Sequence, residues 1–165
     1  MMNSLFASTP AYQAFVTLNE YHSGLDLVIA TATKELIIFD GDLRDMALED
    51  VLRADALRMF LAGGIHRRLR VVLRDALYLH SHAPRMQRLL RDFSAQIEVR
   101  VVAEVKESDA FTCNDSGVCL TRPHYQHPKS ILTLDDKPRW HLLSSRFELM
   151  FAAVDAVVAA THLGL

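Results

Sequence analysis

A chain of 165 residues, half of them hydrophobic, is long enough to bury a real core and is expected to form one domain over residues 1–165. Its formal net charge of -2 and sequence pI near 6.4 exclude a global pull toward nucleic acid or anionic lipid. Two cysteines, Cys113 and Cys119, are too few for a disulfide scaffold.

The N-terminus lacks the basic and apolar regions of a signal peptide, and residues 1–14 read as a loose lead-in. Phe15 to Leu18 reads as a short edge strand. A helix is predicted to begin between Asn19 and Ser23, because Ser23 and Asp26 have capping-box spacing and Tyr21, Leu25, Val28, Ile29 and Ala32 recur at helical period. Leu36-Ile37-Ile38-Phe39, bounded by Asp40-Gly41-Asp42, has the continuous apolar pattern of a strand buried on both faces. A second helix, from about Met46 to Ala62, carries Leu48, Val51, Leu52, Leu57, Phe60 and Leu61 inward and stops at Gly63-Gly64.

Arg70 to Leu73 is the next buried strand, closed by Arg74-Asp75. A third helix is predicted from Pro84, with Met86, Leu89, Leu90 and Phe93 inside and Arg85, Arg88 and Arg91 on another face. Ile97, Val99 and Val101 alternate with Glu98 and Arg100, as in a half-exposed strand. A β-hairpin follows, turning at Asn114-Asp115-Ser116-Gly117. His124 to Lys129 is a polar loop, Ile131 to Leu134 a short strand, and Asp135-Asp136 leads into a final helix of about Trp140 to Ala160. Helices alternate with apolar strands early, and hairpin strands come late. The expected fold is α/β, a mixed sheet sandwiched by helices.

This layout, from Leu27 to Val158, resembles a single phospholipase-D-like domain. The resemblance rests on the helices leading into LIIFDGDL and RLRVVLRD, then IEVRVV, the hairpin FTCNDSGVCL, and LTLDDKPRWHLLSSRFELMF. More closely, it looks like a group of bacterial proteins that share that fold and lack its catalytic signature. Active members carry a histidine, a lysine two residues on, and an aspartate seven residues after the histidine. The histidine attacks phosphorus, a second histidine protonates the leaving oxygen, and the lysines hold the developing negative charge. Anchoring on Asp115 puts Ser108 at the nucleophile position and Ala110 at the lysine position. The implied reading is a non-catalytic domain that acts by binding or as an accessory or assembly partner, with no cofactor.

Two chemical alternatives stand beside it. His127-Pro128-Lys129 has the His-x-Lys pairing of a residual phosphodiesterase, but Leu134 stands where the aspartate belongs and Asp135 is one place late. In a strand that slip turns a side chain to the opposite face. Cys113, Cys119, His124 and His127 form an ordered run of soft ligands for a metal-binding module. However, five residues lie between the cysteines across a turn, where structural zinc favours closer pairs, so no metal is expected.

Asp40, Asp42, Arg74 and Asp75 stand just past the C-terminal ends of two neighbouring strands, the edge where open α/β sheets bind ligands. They are the expected binding residues, with His80-Ser81-His82 beside them. The arginine rows Arg67, Arg68, Arg70 and Arg85, Arg88, Arg91 read as solvated faces. No nucleic-acid partner is expected, because the chain is negative and no aromatics interleave with the arginines. The last helix carries a second apolar stripe. The resemblance implies a homodimer through it, and implies an accessory role beside an acetyltransferase-type partner. The most apolar run, Leu149 to Thr161, is interrupted by Asp155 and is too short for about 30 Å of hydrocarbon, so a cytoplasmic protein with no membrane contact is expected.

Overall fold

The computed structural model describes residues 11–102, 104–154 and 158. Seven strands, β1 (Ala11–Phe15), β2 (Glu35–Asp40), β3 (Arg68–Leu73), β4 (Ile97–Val101), β5 (Ala110–Asn114), β6 (Cys119–Arg122) and β7 (Ser130–Leu134), make one sheet in the order β1-β7-β6-β5-β2-β3-β4. β2, β3 and β4 pair in parallel. β5, β6, β7 and β1 join antiparallel, with β5 against β2. The helices are α1 (Leu18–Thr31), α2 (Val51–Ala62), α3 (Leu77–His82), α4 (Pro84–Asp92) and α5 (Lys137–Ala152).

β2 is the pivot, because its apolar run is buried on both faces. Leu36 and Ile38 face the larger core, shared with Leu25 and Val28 of α1, Leu57 and Phe60 of α2, Leu79 of α3, and Met86 and Leu89 of α4. Ile37 and Phe39 face the smaller core, closed by Trp140, Leu143, Phe147 and Phe151 of α5. The sheet is therefore mixed and helices cover both faces, as the sequence pattern predicts.

Several boundaries differ, each for a local reason. The first strand is Ala11–Phe15, not Phe15 to Leu18, because Thr17 is the N-cap of α1. The capping box is Thr17 with Glu20: the Glu20 N–H donates to Thr17 Oγ1, and Glu20 Oε1 accepts from the Thr17 N–H. Ser23 instead donates to the Asn19 carbonyl, and Asp26 pairs with Arg53. α2 starts at Val51, where Asp50 caps it, and Met46 lies in a short 3-10 turn. Val51 and Leu52 are consequently exposed.

α3 was not anticipated. It is six residues long and has no side-chain N-cap, so neither period nor capping marks it. α5 begins at Lys137 because Asp136 accepts from the Arg139 N–H, and it ends at Ala152. Ala153 and Val154 lie outside the helix, whereas the Val158 N–H donates to Val99 O at the β4 edge of the sheet. The rest of the predicted extension to Ala160 lies outside the described residues. Among the described residues no helix is long and apolar enough to cross a membrane.

Candidate functional site

The chemistry of this molecule gathers at the edge where β2 and β3 end. Asp40 closes β2 beside Leu73 of β3. One step beyond the Phe39↔Phe111 pair, the β2–β5 register brings Ala110 next to Asp40, and Ala110 is itself paired with Arg122 of β6. Three neighbouring strands thus present Asp40, Ala110 and Arg122 in one row, on the face covered by α1.

Both charged members of that row are buried. Asp40 is 3% exposed, and its Oδ2 accepts from the Leu43 N–H at 2.8 Å. Burial pushes its carboxyl up to about 6, against the opposing pull of backbone N–H groups and Arg122. Arg122 is 1% exposed. Its Nε donates to the His127 carbonyl at 2.9 Å and its Nη2 to Asp45 Oδ2 at 3.1 Å, while its guanidinium lies 4.8 Å from the Tyr21 ring centre. The buried Nη1 of Arg122 has no hydrogen-bond partner among the described residues. Tyr21 is buried against this cluster, and burial, then Asp40, pushes its hydroxyl pKa well up.

Arg74 projects to the other face. Its Nη2 donates to the carbonyls of Glu107 (2.7 Å) and Asp109 (2.8 Å). The guanidinium is held between the rings of Phe39 (4.4 Å) and Tyr125 (4.3 Å), a pair of cation–π contacts. Burial lowers its pKa. Next to it, Arg146 makes a two-point ion pair with Asp109 at 2.6 and 2.7 Å. Tyr125 also covers Gly41: a Cβ there would stand 2.5 Å from Tyr125 Cδ2, so only glycine allows this approach. Asp42 and Asp75 serve turns, accepting from the N–H groups of Arg44 and Leu77. Of the four expected residues, Asp40 and Arg74 are thus fixed on opposite faces of the sheet, and Asp42 and Asp75 support the loops. His80, Ser81 and His82 are exposed on α3.

The hairpin positions separate clearly. Ser108 is exposed just ahead of β5, and Ala110 is buried in the first step of that strand. Asp115 lies at the far end of β5, where it accepts from Thr33 Oγ1 and from the N–H groups of Thr33 (3.1 Å), Lys34 (3.0 Å) and Glu35 (3.2 Å). Burial pushes its carboxyl up, but the Thr33 hydroxyl and the three N–H groups outweigh that and hold it below the usual range. His127 and Lys129 are both exposed in the loop after β6, and His127 packs against the His124 ring at 4.6 Å. No ion pair among the described residues takes up Lys129.

The proposed metal set is not gathered either. Cys113 and Cys119 face each other across β5 and β6, fully buried beneath α5, and burial pushes the Cys113 thiol up. His124 and His127 lie past the other end of β6, about 10 Å or more along the strand at roughly 3.4 Å per residue. Among the described residues, no group of three or more His, Cys, Asp or Glu is placed to hold a metal ion.

Sequence reasoning missed Arg122, Tyr21, Tyr125 and the Asp109–Arg146 pair. A signal for Arg122 did exist. Leu120 is an inward residue, and strand alternation carries that orientation to position 122.

No curated protein matches the chain. TrmBL2, an archaeal chromatin protein with a novel mode of DNA binding, superposes with a TM-score of 0.66 at 11% identity, over 92% of this chain and 56% of that one. This chain therefore spans little more than half the length of that protein's chain. Nuc from Salmonella typhimurium, a phospholipase D family member, gives 0.60 at 8% identity over 90% and 98% of the two chains. NucT from Helicobacter pylori gives 0.60 at 12% identity over 90% and 99%. At such identities the likeness shows a shared fold, and the fold is phospholipase-D-like. The family model described as "Domain of unknown function (DUF7931)" matches residues 19–155, and the chain belongs to that family.

Proposed function

We propose that this chain is a phospholipase-D-like domain that binds or assembles rather than transferring a phosphoryl group, acting in the cytoplasm. The observation that carries the reading is the chemistry of the hairpin. Ser108 and Ala110 occupy the positions where the resemblance calls for an attacking imidazole and a charge-holding ammonium. Alanine stabilises no anion, and among the described residues no base is hydrogen-bonded to Ser108, whose Oγ donates to the Pro123 carbonyl at 3.5 Å. The third signature position, Asp115, is committed to the Thr33–Glu35 turn.

The exposed loop position of His127 and Lys129 supports the same reading, since a general base needs a positioned neighbour. Asp40 is enclosed on one face and Arg74 lies on the other, so ligand contact at this edge falls to Arg74, with Asp42 and Asp75 shaping the loops beside it. Assembly runs through α5, where Leu142 and Leu149, one heptad apart, are 70% and 75% exposed and match a homodimer seam. An accessory role beside an acetyltransferase-type partner belongs to this same reading.

A chromogenic phosphodiester assay tests the first half. No turnover above buffer is expected from the parent chain or from His127→Ala. Turnover by the parent that His127→Ala abolishes would contradict the reading.

A further inference from the structure

The charges of this chain are segregated along it. Residues 56–91 hold eight arginines, no lysine and one acid, Asp75, a net charge of +7, while the remaining residues hold ten cations and nineteen acids, a net charge of -9. Four of the eight arginines are engaged by other residues of the chain. Arg58 pairs with Asp92 and Arg70 with Glu148, Arg67 donates to the Phe60 carbonyl, and Arg74 is held as described above.

Arg85, Arg88 and Arg91 are different. All three are exposed on α4, and no ion pair or side-chain hydrogen bond among the described residues takes them up. Two acids beside the row are already engaged: Glu49 accepts from the N–H groups of Arg85 and Met86 (both 3.0 Å), and Asp92 holds Arg58. The opposite face of α4 is pinned by buried Met86, Leu89 and Leu90. The row is therefore carried on a fixed helix.

Its geometry narrows the partner. Residues three apart on an α-helix advance about 4.5 Å and turn by about 60°, so the three arginines span about 9 Å and fan over about 120°. A flat lipid surface meets one edge of such a fan. The two phosphate rows bordering a duplex groove about 12 Å wide, which admits a helix, meet both edges. Arginine alone supplies the charge, and its planar fork suits phosphate oxygens. α4 carries no aromatic residue on which an unpaired base could stack.

We propose that the outer face of α4 docks on the phosphate backbone of duplex nucleic acid, with Arg85, Arg88 and Arg91 as the contacting residues. The net charge of the whole chain argued for a merely solvated face, but the acids responsible for it lie outside residues 56–91 apart from Asp75. The proposal uses a surface separate from Asp40 and Arg74, so it stands or falls independently of the reading above.

Fluorescence anisotropy of a labelled mixed-sequence duplex with the full chain tests it. Neutralising three phosphates gives a log–log salt slope of about -2.7, so affinity should fall about 40-fold between about 50 and 200 mM salt. The triple variant Arg85→Gln, Arg88→Gln, Arg91→Gln should lose binding and keep the parent's circular dichroism and melting temperature. A control variant with Arg68→Gln and Lys129→Gln, both exposed elsewhere, should bind as the parent does. No binding at the lower salt, equal binding by the triple variant, or equal loss in the control would overturn the proposal. So would a preference for single strands or for phosphatidylserine vesicles over the duplex.

Discussion

Asp40 shows how one residue can carry the cost of burial. Its folded carboxyl titrates near 6 because it is buried, whereas an unfolded aspartate titrates near 3.8. As pH rises through that window the unfolded chain releases its proton first, so ionisation of Asp40 works against the fold and its effect is constant above about 6. The gap corresponds to about 3 kcal/mol. Asp40→Asn should therefore gain about that much stability relative to the parent between about pH 4 and 7, read as the difference between their urea unfolding curves. Parallel pH profiles would contradict the assignment. The sequence marked Asp40 as a strand-end acid, but not its burial. That depends on Arg122 and Tyr21, which lie 82 and 19 residues away in the chain and meet Asp40 only when β6 and α1 flank β2 and β5.

Among the elements, the β5–β6 hairpin was the most legible and the least fully understood from sequence. Its turn residues and its strands follow from pattern. The sequence could not show that Asp115 ties the turn to Thr33, Lys34 and Glu35, contacts made across about eighty residues. Asp115→Ala should cost about 3 kcal/mol in chemical unfolding, since it removes charge-assisted bonds to three N–H groups and a hydroxyl. A change near zero would mean that the turn is held by its backbone alone. β2 and β3 were equally legible, because a continuous apolar run bounded by acids or by Arg74-Asp75 leaves little else to be. α3 and the true start of α1 were not: one is too short to show a period, and the other had two overlapping capping patterns, Thr17/Glu20 and Ser23/Asp26.

For the whole molecule, the unequal covering of the sheet matters most. Among the described residues four helices share one face and α5 covers the other, which leaves Leu142 and Leu149 pointing outward. The second apolar stripe was visible in the sequence, although its lower end lies outside the described residues. Light scattering should give the mass of a homodimer for the parent and of a monomer for Leu142→Asp with Leu149→Asp. The variant should keep the parent's circular dichroism spectrum, since neither leucine is in the core. A parent that stays monomeric at high concentration would remove α5 as the assembly surface.

We propose that the hairpin of this phospholipase-D-like sheet presents a serine and an alanine in place of the reactive pair. Acid quenching of concentrated protein with a phosphodiester, followed by intact-mass spectrometry and peptide mapping, tests it most directly, because nucleophilic catalysis passes through a covalent adduct. Unmodified protein is expected at every time point. A phosphorylated histidine at position 127 that forms and then decays would contradict it.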